Sequence, residues 1–243
     1  MDIAIHVSVK RCAVALSLIV LLLVVASLGA SYLSLASNAS PLLLKIRDSF
    51  IRLVWLDQEC NIPSWFSSCL LLAASFLLGL IALAHKQQDG DFSRWALLAL
   101  IFAFLSLDET AQLHELSIAP LRERFHTGGF LLYPWIVPAA VGVAVLGVMY
   151  LRFLARLPRT TRRLLLLAGA VYVGGAIGVE ALSGKEASLQ GEHNLTYHMI
   201  ITVEELLEMT GVIIFIYALL DYIGRQFPVI RLHVAGQSDN RDR

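Results

Sequence analysis

A chain of 243 residues that is 57% hydrophobic, only 16% charged and has a mean hydropathy of +0.70 does not resemble a soluble domain, in which about 25% of residues are charged. Nineteen Lys and Arg balance nineteen Asp and Glu, so there is no basic field to attract nucleic acid. Cys12, Cys60 and Cys69 show no metal-ligand spacing, and a disulfide between Cys60 and Cys69 is the lesser reading.

Lys10 and Arg11 precede the uncharged run Cys12–Leu35. The segments LGAS and SNAS resemble small-residue cleavage sites, but the run exceeds the about 7–15 residues of a signal-peptide core and is read as an uncleaved anchor. Ser40–Asp57 reads as an amphipathic helix. Leu42, Leu43, Ile46, Phe50, Ile51, Leu53 and Val54 approximate one face, and Lys45, Arg47, Asp48 and Arg52 fill the other, a pattern that suits the membrane surface. Ile62–Ala84 and Phe130–Leu151 are long enough to span, since crossing takes about 20 apolar residues.

Three further segments are apolar at one end and acidic at the other. Trp95–Leu107 runs into DETAQLHE, Leu164–Val179 meets Glu180, and Tyr197–Ile223 begins with its acids. Each reaches spanning length only with its polar half. The predicted fold is therefore all-α: an integral membrane bundle of six transmembrane helices at about residues 12–35, 62–84, 94–116, 130–153, 163–183 and 197–223. These form one transmembrane domain over 1–232, with an interfacial helix in the first outer loop. Residues 233–243, HVAGQSDNRDR, read as a disordered cytoplasmic tail. No internal repeat is visible.

With both termini inside, the inner segments hold 13 of the 19 basic residues, including the cluster Arg152, Arg156, Arg159, Arg162 and Arg163, as the positive-inside rule asks. This orientation brings all three polar zones to the outer leaflet. At about 100° per residue, Asp108, Gln112 and Glu115 form one stripe of the third helix, flanked by Glu109 and His114. On the sixth helix Tyr197, His198, Thr202, Glu204, Glu205 and Glu208 share an arc of about 160°, leaving Ile200, Val203, Leu207 and Thr210 for lipid or apolar neighbours.

Asp108, Glu109, Glu115, Glu180, Glu204, Glu205 and Glu208 have no Lys or Arg in the same stretches. A charge at the bilayer centre costs at least about 2.5–3.5 kcal/mol. Protonation, a bound cation or a water-filled cavity would each resolve the conflict, and so would hydrogen bonds at helix ends. A divalent metal is the most economical remedy. Carboxylate and imidazole donors suit iron, manganese or zinc, with Asp108, His114, Glu115, Glu180, His198, Glu205 and Glu208 as ligands. Glu109 or Glu204 would act as general base to a metal-bound water. The Glu-x-x-His element of two-metal bundles is absent. His193 reads as solvated, and His6, His85, His126 and His233 carry no assigned role. No HExxH, GxSxG or phosphate-binding glycine loop occurs. Asn38-Ala-Ser40 and Asn194-Leu-Thr196 are glycosylation triplets of low specificity.

Ser106–Glu115, SLDETAQLHE, resembles the third-helix signature S-[LI]-D-E-x-x-x-x-H-E of a bacterial multi-pass membrane family. The resemblance covers that stretch and the helix layout, and implies a bacterial inner membrane but no activity. Membrane hydrolases of the alkaline ceramidase and adiponectin-receptor type match poorly: Ser106, Asp108 and His198 are present, but Glu205 and Glu208 stand where histidines are wanted. The leading expectation is a metal-dependent membrane enzyme acting on a lipid or lipid-linked substrate. A proton or cation transporter and a non-catalytic scaffold are the alternatives. Trp95–Leu107, Leu164–Val179 and Gly211–Leu220 lack ionisable groups, which disfavours a charged path across the membrane. Oligomeric state is not legible.

Overall fold

The computed structural model describes residues 8–34, 41–58, 60–88 and 90–227. The expectations for His6, Asn38, His233 and the tail fall outside them, as do those for the side chains of Leu42, Leu43 and Ile46. The described residues are helical, with no strand among them: α1 Val9–Ser34, α2 Pro41–Val54, α3 Ile62–Lys86, α4 Phe92–Ala111, α5 Ile118–Phe125, α6 Ile136–Arg156, α7 Arg159–Val173, α8 Glu180–Gln190 and α9 Leu195–Gln226. Two helix starts are set by side chains. Asn61 and Ser64 bond each other's backbone N–H groups ahead of α3, with Pro63 in the first turn. Asn194 accepts the Tyr197 N–H at 2.9 Å to open α9, so the asparagine of the second glycosylation triplet is a helix cap.

Among the described residues five helices are long and apolar enough to cross a membrane: Val9–Leu33, Ile62–Lys86, Ile136–Arg156, Arg159–Gln190 and Leu195–Gln226. The third predicted span is not one straight helix. α4 stops at Ala111, and the chain beyond bends by 70° into Glu115–Phe125, so a sixth span exists only if this bent pair is counted as one. Gln112 takes a left-handed conformation with φ 54° while its N–H still reaches the Asp108 carbonyl, as at helix C-termini generally. Glu115 therefore leaves the predicted stripe, and His114 leaves its flank. Glu115 opens a short 3-10 turn and is exposed.

The fifth span carries a second irregularity. Between α7 and α8 the residues Gly174–Val179, GGAIGV, form a π-helical segment. Wide π turns are rare and cluster at functional sites. This one ends at the residue before Glu180 and so resets the direction in which that carboxylate points.

The core sits where α1, α3, α4, α7 and α9 meet, around Leu71, Leu78, Ile81, Trp95, Met209 and Leu219, none more than 1% exposed. Phe102 of α4 stacks on Phe215 of α9 at 4.4 Å. Glycine permits the closest approach of α7 to α9. A Cβ on Gly211 would lie 2.7 Å from the Tyr172 backbone nitrogen, and one on Gly175 would lie 2.9 Å from the Glu204 carbonyl oxygen. Close packing through small residues is how membrane helices associate without a hydrophobic driving force. α3 and α4 are also joined by hydroxyls. Ser68 Oγ donates to the Ser106 carbonyl at 2.8 Å and Ser106 Oγ to the Ser68 carbonyl at 2.9 Å. The outward sides of α1 and α6 stay apolar and exposed, for example at Leu22, Val148 and Leu151, a face suited to hydrocarbon.

Candidate acid and histidine site

The C-terminal end of α4, the N-terminal end of α9, α8 and the start of α3 come together at one end of the bundle. The opposite end is aromatic: His85 Nε2 pairs with the Tyr222 hydroxyl at 2.9 Å, and Trp95 packs edge-on against Phe153.

At the acidic end the break after α4 builds a pair. Asp108 Oδ1 accepts the His114 backbone N–H at 2.8 Å, and its Oδ2 stands 3.0 Å from His114 Nδ1. One carboxylate thus satisfies the frayed helix end and orients the imidazole. The His114 ring packs on Trp135 at a centroid distance of 4.6 Å, and the Trp135 indole N–H donates to Glu180 Oε1 at 2.7 Å. Three elements thereby converge: the bent end of α4, the turn before α6, and the first residue after the π segment.

The remaining acids lie at this end at varying depth. Glu109 bonds the Ser67 hydroxyl. Glu204 is only 8% exposed. It bonds the buried Ser183 hydroxyl, while its Oε2 has no protein partner. Glu205 and Glu208 are half-buried. The Tyr172 hydroxyl feels the charges of Asp108, Glu109, Glu205 and Glu208 together, so it marks where the acids of α4 and α9 face each other. His198 is 9% exposed, packs against Trp55 at 4.8 Å, and leaves Nδ1 without a protein partner.

Asp108, His114 and Glu180 are therefore linked through Trp135, and Glu205 and Glu208 approach from α9. Glu115 turns outward and His198 sits beside Trp55. Among the described residues no three His, Cys, Asp or Glu side chains are grouped so as to hold a metal ion. Cys12, Cys60 and Cys69 are free thiols.

A second network lies at the rim. Tyr197 donates its hydroxyl hydrogen to Asp57 Oδ1 at 3.3 Å, Tyr133 donates to Glu192 Oε1 at 3.1 Å, and the two phenol oxygens are 3.2 Å apart. Asp57, in the turn after α2, is pushed up to about 6, chiefly by burial and also by the charges of Glu192 and Glu115. Burial likewise raises the Tyr133 phenol. The turn Tyr133-Pro134-Trp135 joins the two networks, one aromatic to each. It is fixed from behind by Arg122, whose guanidinium donates to the Leu132 carbonyl at 2.7 Å. Gly184 of α8 supports it too, since a Cβ there would crowd Leu132 and Tyr133 at 3.2 and 3.3 Å. A tyrosine and a tryptophan at a span's start read as ordinary interfacial aromatics, so their place beside Pro134 is the one hint that the sequence offers.

The fold and this end of the bundle define, among the described residues, an all-helical protein with five or six helices long and apolar enough to span a membrane, and with acids and histidines gathered at one end. The chain belongs to the family described as Domain of unknown function (DUF8692), whose model matches residues 15–223. No curated protein and no solved structure matches it.

Proposed function

We propose that this is a membrane enzyme of the outer leaflet, acting on a lipid or lipid-linked substrate, with Asp108 and His114 as its acid–base pair. The observation that carries the reading is the double use of Asp108, which holds His114 by backbone and by ring at a break in a spanning helix. Non-helical backbone at membrane depth is tolerated where it lines a protein cavity, and a carboxylate on one ring nitrogen directs the other toward proton transfer. Glu109 stands beside the pair as a further acid, while Glu204, near Glu180 and Glu205, keeps one oxygen without a protein partner as an acceptor for a substrate hydroxyl or amine. Iron, manganese or zinc would enter only by regrouping the carboxylates of α9, because no three donors stand together among the described residues.

The test compares lipid extracts from membranes carrying the wild type with those carrying His114→Gln, alongside the thermal midpoint of each purified protein. The wild type is expected to change the amount of a lipid or lipid-linked species, and His114→Gln to abolish that change with little loss of midpoint. Identical extracts would remove the enzyme reading. A difference in midpoint alone would favour a scaffold, and liposome flux that depends on Glu205 would favour a carrier. Elemental analysis of the wild type beside a Glu205→Ala, Glu208→Ala double variant decides the metal. One equivalent lost in the variant supports a metal centre, and none in a folded wild type rejects it.

The orientation within this proposal has its own test. Reporter fusions after Lys86 and Arg159 are expected to read cytoplasmic, and fusions near Arg122 and Gln190 external. A cytoplasmic reading at Gln190 would reverse the sidedness of the whole site.

A further inference from the structure

The rim network has more oxygen contacts than phenolic hydrogens. From Asp57 to Tyr197, Tyr197 to Tyr133, and Tyr133 to Glu192 there are three contacts at 3.3, 3.2 and 3.1 Å. Two phenols supply two hydrogens. With both carboxylates ionised, each phenol donates to its own carboxylate. The phenol oxygens then face each other at 3.2 Å with no hydrogen between them. One further proton, carried on a carboxyl group, fills all three contacts.

We propose that Asp57, Tyr197, Tyr133 and Glu192 form a one-proton site, in which the two carboxylates, far apart in sequence, share a single proton through the two phenols. The transfer balances without a redox partner. The Asp57 O–H bond breaks as an O–H bond forms on Tyr197. Tyr197 releases its original hydrogen to Tyr133, and Tyr133 releases its own to Glu192 Oε1. Each phenol ends neutral with one hydrogen, and a proton has moved from the half-buried Asp57 to the exposed Glu192. Direct proton exchange between bulk water and a partly buried acid follows from that geometry.

The surroundings favour holding this proton. Glu192 and Glu115 face Asp57 as like charges, Glu204 of α9 lies within reach of it, and His193 is the neighbouring group of opposite tendency. Burial is the largest influence on Asp57 and acts in the same direction as the acids. The same corner holds another unmet hydrogen bond. His198 packs on Trp55 at 4.8 Å and beside Tyr197 at 6.1 Å, is 9% exposed, and has Nδ1 without a protein partner. The inference stands independently of the Asp108–His114 chemistry.

The test is the infrared carboxyl signal of Asp57, taken as wild type minus Asp57→Asn, followed against pH in the full-length protein in lipid nanodiscs. The wild type is expected to titrate near 6. Tyr133→Phe removes the opposed phenol oxygen and leaves Tyr197 to donate to ionised Asp57, so the midpoint falls. Tyr197→Phe removes the charge-assisted donor to Asp57, so the midpoint rises. Shifts in opposite directions establish the shared chain. An unchanged midpoint in Tyr133→Phe, or shifts of the same sign, would overturn it. Should Tyr197→Phe fail to fold, Tyr133→Phe decides alone: it leaves the charges of Glu192 and Glu115 in place, so a lowered midpoint supports the shared chain and an unchanged or raised one overturns it.

Discussion

Gly211→Ala is expected to destabilise the bundle by about 1–3 kcal/mol, the usual cost of forcing an added carbon into a packed interior. The new Cβ would meet the Tyr172 nitrogen at 2.7 Å, its Cβ at 2.8 Å and its Cα at 2.9 Å. Two of the three are backbone atoms, so no rotamer change relieves the contact and α7 must move away from α9. That movement would also loosen the Gly175 contact on the Glu204 carbonyl and draw Tyr172 from among the carboxylates. Gly169→Ala is the control. It lies on α7 with nothing within 4 Å of the added methyl, so the better helix propensity of alanine should leave stability unchanged or raise it by up to about 1 kcal/mol. Denaturant or thermal unfolding in mixed micelles reads both. Equal stability of Gly211→Ala and wild type would show that the helices are not in contact at this point.

Asp108→Asn separates the two tasks of this side chain. The asparagine oxygen still accepts the His114 backbone N–H, so the end of α4 keeps its bond and the protein is expected to fold. What is lost is the negative charge on the imidazole, which no longer stabilises a protonated ring. If Asp108 and His114 perform acid–base chemistry, turnover of the lipid species should fall by about 10²–10⁴-fold, the typical contribution of a positioned acid or base. Asp108→Ala removes the acceptor as well, and should add a stability loss of about 1 kcal/mol, comparable to deleting a helix cap. An Asn variant with full turnover would confine Asp108 to a structural part. Tyr133→Phe is a useful companion, because it touches only the rim network and should leave that turnover intact.

How far the acids are legible differs from residue to residue. Asp108, Glu109, Glu180 and Glu204 can be placed near helix ends because long apolar runs leave little choice of where a span begins and stops. The break after α4 is hidden. DETAQLHE contains neither glycine nor proline, so no local stop signal marks Gln112, and periodicity carries the helical stripe on through Glu115. The helix ends there because the Asp108 carboxylate supplies the acceptor for the next free N–H, a side-chain choice that periodicity does not encode. The glycines of GGAIGV are visible, but hydropathy is indifferent to a π turn that shifts helical phase by one residue.

Composition and hydropathy by themselves determined the helical character of the described residues, apolar runs long enough for a membrane, and the crowding of uncompensated acids in three of them. Those properties follow from the cost of exposing apolar surface to water and charge to hydrocarbon, which acts on each segment alone. The tertiary structure decided which partner each acid has. Glu180 meets Trp135 across 45 residues, Tyr133 meets Tyr197 across 64, and Asp57 meets Tyr197 across 140. Such contacts depend on which helix faces pack together, and here that is governed by the glycine-lined approach of α7 to α9 and the hydroxyl clamp between α3 and α4.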